Sequence, residues 1–284
     1  MSTKGKLCMR KILVTGAGGF VGARILDQWR GRYELCTFPH GFSADFDESA
    51  VRALIAREKP DVIVHTAALS NTAYCASHPE ESLRANVLLP EWIAKAAAET
   101  GAKLLAFSSD QVYAGCKRSG PLPETLSLSP ANVYGCHKLE AEQRVLAITS
   151  GAILLRAAWM YDFPGYRLPI RGNLPLNLLS AAKTGTALHF SEHDFRGVSY
   201  VREVIDKLIP AMELPGGVYN FGSGNDCDMF ETVSRFARLL GVEVPLEKDH
   251  WERNLAMSGE KLKAQEKLAT FHVKIGYPDK WKDY

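Results

Sequence analysis

The stretch Lys11-Ile12-Leu13-Val14-Thr15-Gly16-Ala17-Gly18-Gly19-Phe20-Val21-Gly22 constrains this chain more than any other. A short apolar strand runs straight into glycines spaced GxxGxxG, with Gly18 as an intermediate glycine. Ala23, Ile25, Leu26 and Trp29 then continue with helical periodicity. A strand, a glycine turn and a helix in immediate succession form the context in which a helix N-terminus binds a dinucleotide pyrophosphate. Gly16 permits the tight turn, Gly19 lets the backbone approach phosphate, and Gly22 lets the helix pack closely on the sheet. Gly18, Phe20 and Val21 complete the expected cofactor-binding loop. A structural turn alone accounts for one glycine well and for three at this spacing poorly.

The next strand, Glu34-Leu35-Cys36-Thr37-Phe38, ends in Pro39-His40-Gly41. An acidic residue at that strand end would accept hydrogen bonds from the adenosine ribose and repel a 2′-phosphate. None stands there. With His40 and the nearby charge of Arg24, the sequence favours NADP(H) over NAD(H) and admits both. Asp45 and Phe46 follow as further cofactor contacts, although Asp45 is equally suited to cap the helix that begins near Glu48.

Beyond this point strands and helices alternate. Residues 48–58 read as a helix, Asp61–His65 as a strand opening into Thr66-Ala67-Ala68, and Pro79–Thr100 as a long helix containing Asn86. Lys103–Phe107 forms the next strand, with Ser108-Ser109-Asp110 at its carboxyl end, and Ala152–Arg156 the one after. The alternation predicts an α/β fold: a doubly wound, Rossmann-type parallel sheet covered on both faces, with a smaller C-terminal substrate-binding lobe. The expected division is a dinucleotide-binding domain over 1–160, with 218–240 returning to it. Residues 161–217 and 241–284 then form the lobe. Ligands in such sheets sit beyond the strand carboxyl ends, where Gly16, Ala67, Ala68 and Ser109 all fall.

The same rim carries a candidate acid–base pair. In Tyr134-Gly135-Cys136-His137-Lys138 the Tyr and Lys are spaced i,i+4, so a helix puts both on one face. An ammonium beside a phenol favours the phenolate and brings its pKa, near 10 unperturbed, closer to working range. Ser109 supplies a second hydroxyl able to hold a carbonyl oxygen. Cys136 is a poor nucleophile candidate, because adjacent His137 points elsewhere on a helix.

The remaining composition excludes more than it assigns. A formal net charge of +2 over 284 residues, with no basic block or zinc-finger spacing, argues against nucleic-acid binding. No run reaches the roughly 18 apolar residues of a membrane span, and residues 1–9 lack the apolar core of a secretory signal. Six cysteines without a CxxC pair make a reducing cytoplasm the default. The eight histidines show no metal-ligand spacing, so no metal is expected.

Taken together, TGAGGFVG at 15–22, KPDVIVHTAA at 59–68, Asn86, SSDQVY at 108–113, NVYGCHKLEAE at 132–142 and LLRAAWMY at 154–161 resemble the extended short-chain dehydrogenase/reductases. Within them the chain is most similar to the dTDP-4-dehydrorhamnose reductase, or RmlD-like, group. The resemblance covers roughly Lys11 to Trp281. It implies reduction of the 4-keto group of a nucleotide-linked deoxysugar by a nicotinamide dinucleotide. In that scheme Tyr134 donates the proton, Lys138 lowers its pKa and binds the nicotinamide ribose, and Ser109 polarises the carbonyl. Asn86 joins the cofactor contacts. Tyr74, Ser109, Asp110, Trp159 and Arg167 become candidate substrate contacts. The group's usual Asn-Ala-Ala turn is replaced by His65-Thr66-Ala67-Ala68, and its C-terminal pattern is only partly echoed by Arg253-Asn254-Leu255 and Lys261-Leu262.

Two alternatives stay open at this level. A nucleotide-sugar epimerase uses the same Tyr/Lys pair, and a regulatory subunit similar to that of methionine adenosyltransferase shares the fold. Dehydration is disfavoured, because Asp110 is followed by Gln111, which cannot exchange the required proton. A nucleotide sugar is the expected small-molecule partner, and a homodimer is compatible with the sequence.

Overall fold

In the first strand, alternate side chains enter two different cores. Ile12 and Val14 pack with Ile25 and Trp29 on one face, while Leu13 packs with Val51, Leu54 and Ile55 on the other. All of these are buried, which fits a strand covered on both sides and explains its unbroken apolar sequence. Each such side chain contributes roughly 1.5–3 kcal/mol on burial.

The computed structural model describes residues 9–38, 47–163, 167–170 and 172–265. Its first half runs β1 (Lys11–Thr15), α1 (Phe20–Trp29), β2 (Glu34–Thr37), α2 (Glu48–Glu58) and β3 (Val62–His65). Then come α3 (Thr72–Ser77), α4 (Pro79–Leu83), α5 (Leu89–Thr100), β4 (Lys103–Ser109), α6 (Val133–Ile148) and β5 (Ile153–Ala157). Next are β6 (Trp159–Tyr161), α7 (Leu174–Thr184), β7 (Leu188–Ser191), β8 (Asp194–Arg196), β9 (Val198–Tyr200) and α8 (Val201–Ala211). The last elements are β10 (Gly217–Phe221), α9 (Met229–Leu240), β11 (Leu246–Asp249), β12 (Arg253–Leu255) and α10 (Glu260–Lys263).

The main sheet has six strands in the order β10-β5-β4-β3-β1-β2, and every pairing in it is parallel. The order reverses between β1 and β3, the switch point at which such sheets bind ligands. Helices α2, α5 and α6 cover one face, and α1 and α8 the other. This is the doubly wound Rossmann-type sheet expected from the alternation. Three two-stranded parallel pairs, β6-β9, β7-β11 and β8-β12, accompany it.

Several boundaries differ from the sequence reading. Strand β2 stops at Thr37, one residue short of the Phe38 in the sequence reading, and as an edge strand with one neighbour it leaves Cys36 half-buried. The helix at Glu48 is capped by Asp47, whose carboxylate accepts from Ala50 N at 2.9 Å. The helical run from Pro79 to Thr100 contains a π-helical turn at Arg84–Leu88 that α-periodicity cannot reveal. The segment 218–240 divides. Strand β10 closes the main sheet, whereas α9 packs with Tyr161, Leu174, Leu178 and Val198 in the smaller lobe. Helix α8 and Leu262 of α10, which the sequence division puts in that lobe, are buried against the main sheet instead. Their apolar faces match the open face beside α1, a pairing no local pattern encodes.

Among the described residues no helix is long and apolar enough to cross a membrane. Cys36, Cys75, Cys116, Cys136 and Cys227 are free thiols.

Candidate active site

The carboxyl ends of β1, β3, β4 and β5 open onto a cavity of about 720 Å³. Its wall includes the loop Gly16–Val21, Ala67 and Ala68, Ser109 and Asp110, Tyr134 and Lys138, and Trp159. The separate sequence motifs thus meet in one crevice.

The glycine loop has the shape a phosphate cradle needs. Gly16 sits at φ +68°, and a Cβ at Gly22 would lie 2.2 Å from the Gly16 carbonyl oxygen. Gly22 itself does not line the cavity; it lets α1 fold back on the turn, rather than on the sheet as its spacing suggested. The first turn of α1 is left with backbone N–H groups at the cavity, a position suited to an anion. These residues fit a dinucleotide.

Thr15 and His65 lock the floor beneath the loop. Thr15 Oγ1 accepts from Thr66 N at 3.1 Å and Ala67 N at 3.3 Å, so its own hydrogen is directed to His65 Nδ1 at 2.7 Å. The His65 proton therefore resides on Nε2, which has no hydrogen-bond partner among the described residues. Burial, assisted by the nearby Lys138 charge, pushes the imidazole pKa down to about 3. The unfolded chain takes up that proton near the ordinary value of 6.5 and the folded one does not, so stability falls as pH drops from 6.5 towards 3. The expected slope is roughly 1.4 kcal/mol per pH unit, or about 2 kcal/mol by pH 5. Urea denaturation at pH 7 and 5 checks this, and His65→Gln is expected to flatten the dependence.

The catalytic candidates converge as their spacing predicts. Asn132 caps α6 by accepting from Gly135 N at 2.8 Å, and a Cβ at Gly135 would meet the Gln111 carbonyl at 2.3 Å. Glycine between Tyr134 and Lys138 thus lets α6 approach the chain just past β4. Tyr134 and Lys138 are both buried in the cavity wall. Ser109 ends β4; its hydroxyl donates to Asp110 Oδ1 at 3.2 Å and accepts from Gln111 N at 3.2 Å.

The electrostatics depart from the sequence expectation. Burial raises the Tyr134 phenol above its ordinary value, and a hydrogen bond with Ser109 opposes that rise. Lys138 does not supply the expected lowering, because its Nζ is turned to the Phe107 carbonyl at 2.6 Å. Burial brings Lys138 itself down to about 8, against the opposing charge of Glu142.

Other expected contacts move out of the cavity. Asn86 clamps the loop after β3 from behind, accepting from Leu69 N at 3.1 Å and donating to Leu69 O at 2.9 Å. It shapes the cavity wall without lining it. Tyr74 lies on the surface, stacked on His78 and donating to Glu81 Oε2 at 2.9 Å. Arg167 is exposed at φ +52° and does not line the cavity. Arg24 cannot greet a 2′-phosphate: it is buried, with Nε bonded to Asp162 at 2.5 Å and Nη1 to Phe20 O and Pro169 O. His40, Asp45 and Phe46 fall outside the described residues.

Two cavity arginines are not among the predicted site residues: Arg196 has no sequence signal, and Arg253 only the partial echo of the group's C-terminal pattern. Arg196 Nη2 donates to Asp110 Oδ2 at 2.6 Å, and its guanidinium lies over the Trp159 ring. Arg253 forks onto Asp194 at 2.8 and 2.6 Å. They come from the short strands β8 and β12. Elsewhere the fold gathers Glu192, His193 and His250, which no sequence spacing announced. The Lys248 ammonium already sits 2.9 Å from Glu192, in competition with any cation.

The RmlD substrate binding domain family matches residues 9–250. A dTDP-4-dehydrorhamnose reductase from Mycolicibacterium smegmatis is 34% identical over 54% of this chain and 46% of its own length. Methionine adenosyltransferase 2 subunit beta from Xenopus laevis is 36% identical over 54% of this chain and 47% of its own length. The chain thus spans about half the length of each of these two relatives. Among solved structures, dTDP-4-dehydrorhamnose reductase from Bacillus anthracis in complex with NADP superposes with TM-score 0.81 at 19% identity, covering 90% of this chain and 91% of that one. Thermus thermophilus UDP-glucose 4-epimerase in complex with NAD gives 0.75 at 19%, covering 94% and 95%. At that identity these two establish the shared fold, and the family match establishes membership: the chain belongs to the RmlD substrate binding domain family, the group its motifs resemble.

Proposed function

We propose that the protein reduces the 4-keto group of a nucleotide-linked deoxysugar, with NADP(H) preferred over NAD(H) as reductant. The observation that carries this reading is the convergence of Ser109, Tyr134 and Lys138 on one cavity with the glycine loop. The nicotinamide supplies the hydride. Ser109 and Tyr134 hold the carbonyl oxygen, and Tyr134 delivers a proton to it. Burial keeps the Tyr134 phenol protonated at neutral pH, so the proton is there to deliver, while the raised pKa makes the phenol a weaker acid than the ideal donor. Lys138 lines the same cavity and binds the nicotinamide ribose; to stabilise the developing phenolate its ammonium must leave the Phe107 carbonyl that holds it. Trp159 and Asp110 face the sugar, while Arg196 and Arg253 offer donors to the anionic half of the substrate.

The test is turnover on a panel of nucleotide 4-keto sugars with NADPH, followed by product analysis. Reduction at C4 of one member supports the reading, and no reduction of any member by protein that binds the dinucleotide overturns it. The cofactor preference rests on the absence of an acidic residue where β2 ends, at Phe38-Pro39-His40. Calorimetric titration with each dinucleotide checks it, and roughly tenfold tighter binding of NADH would reject it.

The methionine adenosyltransferase subunits favour a second reading, a dinucleotide-binding regulatory subunit. Co-purification with a synthetase, without turnover on the panel, is its signature.

A further inference from the structure

Behind the Tyr134–Lys138 face of α6 runs a buried chain of polar groups that the proposed chemistry does not use. Glu142, one turn beyond Lys138, accepts from Ser108 Oγ at 2.5 Å and from Arg156 Nε and Nη2 at 3.0 and 2.7 Å. Arg156 Nη1 donates to Tyr113 OH at 2.8 Å, and that hydroxyl donates to Asn220 Oδ1 at 2.8 Å. Asn220 Nδ2 in turn donates to Leu122 O and Ser258 O at 2.9 and 3.0 Å. Glu142 and Arg156 side chains are each 4% exposed.

Burying an ion pair costs several kcal/mol in desolvation, and a packed apolar pair would often serve stability as well. The location of this pair points to another role. Ser108 directly precedes Ser109, and Lys138 gives its Nζ to Phe107 O, the carbonyl just before Ser108. Helix α6 is thus pinned to β4 at two consecutive residues, once by Lys138 and once by Glu142.

We propose that Glu142, balanced by Arg156, is a positioning residue that fixes the charge on Lys138. Its consequence for turnover rests on the reductase reading; the electrostatic relation does not. Among the described residues, His65 from β3 and Glu142 from α6 act on Lys138 through their charges, Tyr134 and Asp110 line the same cavity, and Arg156 from β5 pairs with Glu142. His65 and Tyr134 are neutral at pH 7, because burial lowers one and raises the other. Asp110 is paired with Arg196 at 2.6 Å. Burial acts most strongly on the Lys138 ammonium, and Glu142, one turn along α6 and held by Arg156 at 2.7 Å, is the charge that opposes it.

The test titrates Lys138 in the whole protein without ligand, by NMR of lysine labelled at Cε, with the signal assigned by its loss in Lys138→Met. Glu142→Gln keeps an acceptor for Ser108 but removes the charge and leaves Arg156 uncompensated. The Lys138 midpoint is expected to fall by roughly one pH unit. Arg156→Met leaves Glu142 to act on Lys138 alone, and the midpoint is expected to rise by a comparable amount. A purely structural role gives another pattern, since loosened packing hydrates the amine and moves both variants upward. Opposite shifts support the proposal; shifts of the same sign, or none, overturn it. If Glu142→Gln does not fold, Arg156→Met is compared with Arg156→Lys, which keeps the positive charge: a midpoint that rises in Arg156→Met and stays in Arg156→Lys supports the proposal, and an equal rise in both, or none in Arg156→Met, overturns it. Because no substrate enters the measurement, its outcome is separable from the fate of the reductase reading.

Discussion

Tyr134→Phe is expected to lower turnover of the proposed reduction roughly 10²- to 10⁴-fold, the usual contribution of a positioned acid. The ring stays in its buried place at the start of α6, so the fold should persist and only the hydroxyl and its bond with Ser109 are lost. The loss is therefore expected in kcat, with dinucleotide affinity nearly unchanged. Lys138→Met should differ in kind, lowering the rate and weakening dinucleotide binding together. Steady-state kinetics paired with dinucleotide titration separates the two. Near-wild-type turnover of Tyr134→Phe would remove Tyr134 from the role of proton donor.

Arg24→Met is expected to destabilise the protein by about 3 kcal/mol, the low end for breaking a buried ion pair. Arg24 and Asp162 side chains are each 1% exposed, so the substitution leaves a carboxylate stranded away from water. Arg202 Nε, 3.8 Å from Asp162, tempers the loss. The same side chain holds Pro169 O, so α1 and the segment after β6 should loosen together. Urea denaturation measures the cost. Pairing the change with Asp162→Leu is expected to recover part of it, because the stranded carboxylate is gone and Arg202 keeps Asp27 at 3.0 Å, while Phe163 N loses the Asp162 acceptor. A loss below about 0.5 kcal/mol in the single variant, the scale of an ordinary surface change, would contradict this view of the pair.

The contrast between Arg24 and Tyr134 marks what the sequence makes legible. Tyr134, Lys138 and Ser109 are readable because their geometry is local: one helix turn, and one strand end. The glycine loop is readable for the same reason, although Gly22 meets the Gly16 carbonyl rather than the sheet. Arg24 misleads, since nothing nearby in sequence announces Asp162, which lies 138 residues away. Arg196 and Arg253 reach the cavity on three-residue strands too short to show a strand period, and the partial family echo at Arg253 does not announce a site. Asn86 and Tyr74 show a further limit. Their positions along the chain suggest contacts, but their hydrogen bonds to Leu69 and Glu81 direct them elsewhere. The fold class was legible because strand and helix periodicities alternate through the first half. The layer formed by α8 and α10 was not, because it depends on which apolar face remains uncovered once the sheet has closed.

Counting cofactor against product is the most direct test of a reductase assignment. With a nucleotide 4-keto sugar in limiting amount, absorbance at the NADPH band should fall by one equivalent for each equivalent of sugar reduced at C4. An epimerase returns its hydride to the substrate. Conversion of the sugar with no net fall in NADPH would therefore contradict the reductase reading, even if Ser109, Tyr134 and Lys138 all proved essential.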